Sequence, residues 1–111
     1  MRRWVKLICL KVGHLNIEKD KVEAFCRKWK VVEFSLFGSV LRDDFRPDSD
    51  IDVLVSLQPD QQMTIESFLD MKDELSAMFG GREVDLVQKR LLKNPFRRYE
   101  ILTSREVVYA A

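Results

Sequence analysis

Between Asp50 and Leu57 polar and apolar residues alternate in a way that fixes both a conformation and a face: Ile51, Val53 and Val55 fall on one side of an extended strand, Asp50 and Asp52 on the other. The aliphatic side has to be covered, which leaves the two carboxylates together on the opposite side. Such acids repel, because two unit charges 4 Å apart cost about 4 kcal/mol at an effective dielectric of about 20. The pair is comfortable with a counter-cation between its oxygens, and hard cations such as magnesium prefer oxygen ligands.

Two further segments carry the same period. Val31 to Phe37 sets Val32, Phe34 and Leu36 against Glu33 and Ser35 and ends at Gly38, and Glu83 to Val87 sets Val84 and Leu86 against Glu83 and Asp85. If the third strand pairs beside the second, Asp85 joins Asp50 and Asp52. The competing reading makes Asp85 a strand-end charge paired with Arg82 or Lys89, and register decides between the two.

Helical spacing fills the intervals. Asn16 reads as the cap of a helix whose apolar stripe is Val22, Phe25, Cys26 and Trp29. A second helix over 63–79 carries Ile65, Phe68, Leu69, Leu75, Met78 and Phe79 and stops at Gly80-Gly81, while Asn94-Pro95 starts a third with Phe96, Tyr99 and Leu102. A short Val107-Val108-Tyr109 segment closes the chain. The order predicts an α/β (α+β) fold, a small mixed sheet with helices packed on one face. With 111 residues there is room for one domain, read as 16–111, preceded by an extension over 1–15 that has no clean period.

Composition removes several function classes. Apolar residues make up 46% and charged residues 33%, as in a folded soluble domain, and no apolar run reaches the roughly 18 to 20 residues of a membrane span. The N-terminal stretch has a basic tip, but Lys6 and Lys11 interrupt its apolar run and no small-residue cleavage site follows, so secretion is not expected. Cys9 and Cys26 are far apart and read as buried thiols, which suits a reducing cytoplasm. The net charge of +1 argues against strong nucleic-acid binding, and the basic residues of the first helix and Arg97-Arg98 read as a solvated face. Trp4, Trp29 and Tyr99 read as core rather than as base-stacking residues, and His14, the lone histidine, as exposed.

Gly38-Ser39 sits where the first strand turns, and a glycine there lets backbone approach a phosphate while the serine hydroxyl and nearby N–H groups donate to its oxygens. A phosphate-seating turn beside paired acids describes nucleotidyl transfer, in which two metal ions polarise the α-phosphate and neutralise the pyrophosphate. The run from Asp48 also mimics the opening of an EF-hand loop, but Val53 stands where the glycine belongs and Pro59 where the glutamate belongs.

The stretch from Phe37 through Gly38, Ser39, Val40, Leu41, Arg42, Asp43, Asp44, Phe45, Arg46, Pro47, Asp48, Ser49, Asp50 and Ile51 to Asp52 resembles the signature of polymerase-beta-like minimal nucleotidyltransferases. The resemblance runs from Asn16 to the C-terminus. It implies a nucleotide-binding set of Gly38, Ser39, Arg42 and Ser49, catalytic and metal-binding roles for Asp50, Asp52 and Asp85, and Mg2+, with two ions expected. It also implies ATP as donor, a HEPN-domain ribonuclease toxin as partner and AMP transfer to a tyrosine of that toxin, with this chain as antitoxin. The family often has arginine and alanine after the serine and glycine after the second arginine, where this chain has Val40, Leu41 and Asp43. A non-catalytic antitoxin that neutralises by binding alone is the alternative, and transfer to a small molecule or an RNA end ranks last.

Overall fold

The computed structural model describes residues 9–12, 15–41, 46 and 49–110. Strands β1 (Cys9–Val12) and β2 (Leu15–Glu18) form an antiparallel pair, followed by α1 (Lys19–Trp29), β3 (Val31–Phe37) and a 3-10 turn over Gly38–Leu41. Next come β4 (Ile51–Leu57), α2 (Ile65–Met78), β5 (Val84–Gln88), a 3-10 turn over Lys89–Leu91, α3 (Pro95–Ser104) and β6 (Glu106–Ala110). The main sheet has the order β5-β4-β3-β6; β4 and β5 are parallel and the other neighbours antiparallel. The expected mixed sheet is therefore present, with α2 as the crossover between its parallel strands.

The three expected strands form within one residue of their predicted bounds, and the closing valine-tyrosine segment becomes the edge strand β6 beside β3. Phe34 and Leu36 of β3, Ile51, Val53 and Val55 of β4, and Val84 and Leu86 of β5 all belong to one buried cluster. Val22, Phe25 and Cys26 of α1 and Met71 and Leu75 of α2 cover it. Burial pushes the Cys26 thiol up to about 12, with Glu23 adding to the effect, so it stays protonated.

The helices do not all lie on that face. Phe37 and Leu54 have the opposite parity, and they pack instead with Leu92 and with Ile101 of α3. Two large apolar residues on the acid-bearing side need cover there, and α3 supplies it. The expectation of one helical face thus holds for α1 and α2 and is corrected for α3.

Helix ends follow local chemistry. Thr64 caps α2 by accepting from the Ser67 N–H at 3.0 Å, and Gly80 and Gly81, at φ of 75° and 85°, end the helix as expected. Asn94 Oδ1 accepts from the N–H groups of Phe96 and Arg97 at 3.0 and 3.2 Å, with Pro95 in the first turn. Asn16, by contrast, is not at the cap position: α1 begins at Lys19 with Glu18 as its N-cap residue, and Asn16 lies in β2 opposite Lys11. Strand β2 also straddles the expected boundary between residues 15 and 16.

Some expected core positions face outward. Ile65 and Leu69 of α2 and Phe96 and Tyr99 of α3 are exposed, while Met71, not foreseen, is buried. The apolar stripe of α3 is turned so that Ile101 and the half-buried Leu102 face the sheet.

Candidate active site

The site forms where β3 and β4 end together. Phe37, the last residue of β3, pairs with Asp52, so the chain leaves the sheet at Gly38 directly beside that carboxylate. Gly38 has φ of 77°, a left-handed conformation that costs other L-residues about 1 to 2 kcal/mol. A Cβ placed on it would collide with the Asp52 carboxylate, whose Cγ would lie 3.0 Å away. The turn and the acid thus demand glycine for two separate reasons. Ser39 Oγ lies 3.4 Å from the carbonyl oxygen of Asp50, a long donation that ties the turn to the residue entering β4.

The acids come from adjoining strands in matched register. Asp52 of β4 is the partner of Asp85 of β5, and the next pair on that face, Leu54 and Val87, continues toward the cluster beneath α3. Parallel partners point to the same side, so both carboxylates emerge on the face carrying α3. Asp85 is exposed and makes no ion pair with a described residue; Lys89 pairs with Glu33 at 3.3 Å instead. Asp50 precedes β4 and is exposed at its entrance.

Ser49 stabilises that entrance. Its Oγ accepts from the Arg46 N–H at 2.9 Å and its own N–H donates to the Arg46 carbonyl at 3.0 Å, while the Arg82 guanidinium donates to the carbonyls of Arg46 and Ser49 at 3.3 and 3.4 Å. Arg42 and Asp43, like His14 and Trp4, lie outside the described residues.

No group of three or more His, Cys, Asp or Glu side chains gathers into a metal site among the described residues. Magnesium does not ask for one: it is commonly held by one or two carboxylates together with substrate phosphates, so carboxylate oxygens from Asp52 and Asp85 on one face, with Asp50 upstream, fit such an ion.

A cavity of about 550 Å³ opens beside the turn. Phe37, Gly38, Leu41 and Asp52 form its sheet side. Arg97, Glu100, Ile101 and Ser104 of α3 form the opposite wall. The α3 residues were not anticipated as site residues. The spacing 97, 100, 101, 104 is one face of a helix whose start Asn94-Pro95 had already fixed, so the signal was present in the sequence, but only the packing of α3 turns that face toward Asp52. The neighbouring arginine is used differently: Arg98 donates to the carbonyls of Lys89 and Leu92 at 3.1 and 3.4 Å.

A mixed sheet, a glycine-serine turn, register-paired acids on its two parallel strands and a cavity between Asp52 and a covering helix suit a small nucleotidyltransferase domain. Residues 19–108 match the family model for the nucleotidyltransferase domain, and the chain belongs to that family. It is 35% identical over 82 residues to the protein adenylyltransferase MntA of Thermococcus cleftensis, covering 74% of this chain and 77% of the relative. A toxin-antitoxin crystal structure with AMP-PNP superposes with a TM-score of 0.68 at 20% identity, over 86% of this chain and 75% of the other. The MntA-HepT toxin-antitoxin structure gives a TM-score of 0.59 at 19% identity, over 84% and 70%. At these identities the two structures establish the fold. No described helix is long and apolar enough to cross a membrane.

Proposed function

We propose that this chain transfers AMP from ATP to a tyrosine hydroxyl of a HEPN-domain ribonuclease toxin and so acts as its antitoxin, in the cytoplasm, through a catalytic domain over 16–111. The observation that carries the reading is the register of Asp52 with Asp85 beside a glycine turn that leaves room for the Asp52 carboxylate. The adenylyltransferase relative and the toxin-antitoxin neighbours support it.

In this reading Gly38 and Ser39 seat the triphosphate, Arg42 and Ser49 complete the nucleotide side, and Asp50, Asp52 and Asp85 hold two Mg2+ ions. When bound, those ions would supply charge neutralisation at the α-phosphate and at the leaving pyrophosphate. The Gly38 turn holds the polyphosphate close to the acids, and the α3 wall limits access of water to the α-phosphate. The tyrosine oxygen bonds to the α-phosphorus, the bond to the bridging oxygen of the β-phosphate breaks, pyrophosphate leaves with that oxygen and the phenolic proton passes to solvent. In this reading the acceptor hydroxyl arrives on the partner toxin.

The test is incubation of the purified chain with magnesium, ATP and its partner toxin, followed by intact-mass measurement of the toxin. Gain of AMP units, lost in an Asp50→Asn/Asp52→Asn variant, is expected. No gain, with inhibition of the toxin retained in that variant, would establish neutralisation by binding alone.

A further inference from the structure

We infer that Arg97 is a polyphosphate-binding residue of the site, acting from α3 on the outer phosphates of the nucleotide; this rests on the nucleotidyltransferase reading above. The two adjacent arginines of α3 are not equivalent. Arg98 is engaged with two backbone carbonyls, whereas Arg97 lines the cavity that holds Gly38 and Asp52 and its guanidinium forms no hydrogen bond or ion pair with a described residue. Glu100 is one turn away on the same wall, at a spacing that often produces an ion pair, yet the two do not pair.

The charge inventory of the cavity explains why a cation belongs there. Among its described lining residues are two carboxylates, Asp52 and Glu100, and one guanidinium, that of Arg97. A triphosphate entering such a space meets like charge, and a planar guanidinium that can grip phosphate oxygens in a two-pronged manner is the side chain best suited to offset it. Asn94 and Pro95 fix the helix start two residues earlier, so the side chain is carried on a capped element rather than a free loop.

Calorimetric titration of the full chain with ATP, AMP and inorganic tripolyphosphate, in magnesium buffer, tests this. Arg97→Ala should weaken ATP and tripolyphosphate binding roughly tenfold to a hundredfold, the range for a charge-assisted hydrogen bond. AMP binding should be little changed, the thermal midpoint should be kept, and Arg97→Lys should recover part of the loss. Arg98→Ala should instead lower the thermal midpoint without selectively weakening tripolyphosphate. If the native chain binds ATP but Arg97→Ala binds it equally well, or loses AMP as strongly as ATP, the assignment of Arg97 is wrong while the reading of the site stands. If the native chain binds neither ATP nor tripolyphosphate, both are wrong.

Discussion

Asp52 and Asp85 are register partners across the one parallel strand pair of the main sheet, so two carboxylates distant in sequence stand side by side on the face that also carries α3. One residue of slip between β4 and β5 would send Asp85 to the buried side and Val84 or Leu86 to the site. The aliphatic residues flanking Asp85 therefore lock the acid in place.

Replacing Asp85 by asparagine removes one of two neighbouring like charges while keeping shape. The expected outcome is a domain at least as stable in metal-free buffer, a smaller rise of the thermal midpoint on adding magnesium, and AMP transfer reduced about a hundredfold or more, as for loss of one preorganised electrostatic group. Thermal melts with and without magnesium, set beside the mass assay, check it; an unchanged magnesium response would remove Asp85 from the site.

Gly38→Ala should be costly on two counts. The left-handed backbone opposes any Cβ and the Asp52 carboxylate occupies the space it would need, so a loss of about 1 to 3 kcal/mol in unfolding free energy is expected, with transfer activity falling in parallel. Gly80→Ala serves as comparison, since a Cβ there meets nothing within 4 Å and only the backbone strain remains. Urea unfolding of both variants separates strain from collision.

Glu33 joins β3 to two other elements by accepting from Arg105 at 2.8 Å and from Lys89 at 3.3 Å. Burial alone would raise its carboxyl, but the two cations outweigh it and hold the group below the usual carboxylate range. A depressed folded value means the unfolded chain takes up the proton first. The stabilisation is full above the unfolded value of about 4.3 and is lost as pH falls from there through the folded value. Denaturant midpoints measured between about pH 6 and pH 3 should fall less steeply for Glu33→Gln, which should already be weaker at neutral pH.

Ser35 is fully buried in β3, and its hydroxyl has no partner among the described residues. Ser35→Ala deletes an unsatisfied polar atom and leaves almost no void, so it should stabilise the fold by about 1 kcal/mol. A lower denaturation midpoint would show that the hydroxyl has a partner in solution.

Local pattern was enough for much of this molecule. Alternation located β3, β4 and β5, turn chemistry located the C-terminal end of α2 and the start of α3, and the conditional placement of Asp85 became firm once the parallel register was known. Asn16 misled because it lies in β2, paired with β1, and a local rule does not see cross-strand pairing. Phe96 and Tyr99 misled because apolar residues at helical spacing do not reveal which side of the helix meets the sheet.

By itself, the sequence determined the three central strands, the helices α2 and α3, the parity of the acids and the glycine-serine turn, since each depends on neighbours a few residues away, whereas the pairing of β1 with β2 was not legible in it. Only the tertiary structure decided that β5 lies parallel to β4 in the register pairing Asp85 with Asp52, and that α3 crosses to the acidic face with Arg97 and Glu100 in the cavity wall. Those outcomes come from burying Phe37 and Leu54 against Leu92 and Ile101, a contest among distant surfaces in which no single segment holds the deciding term.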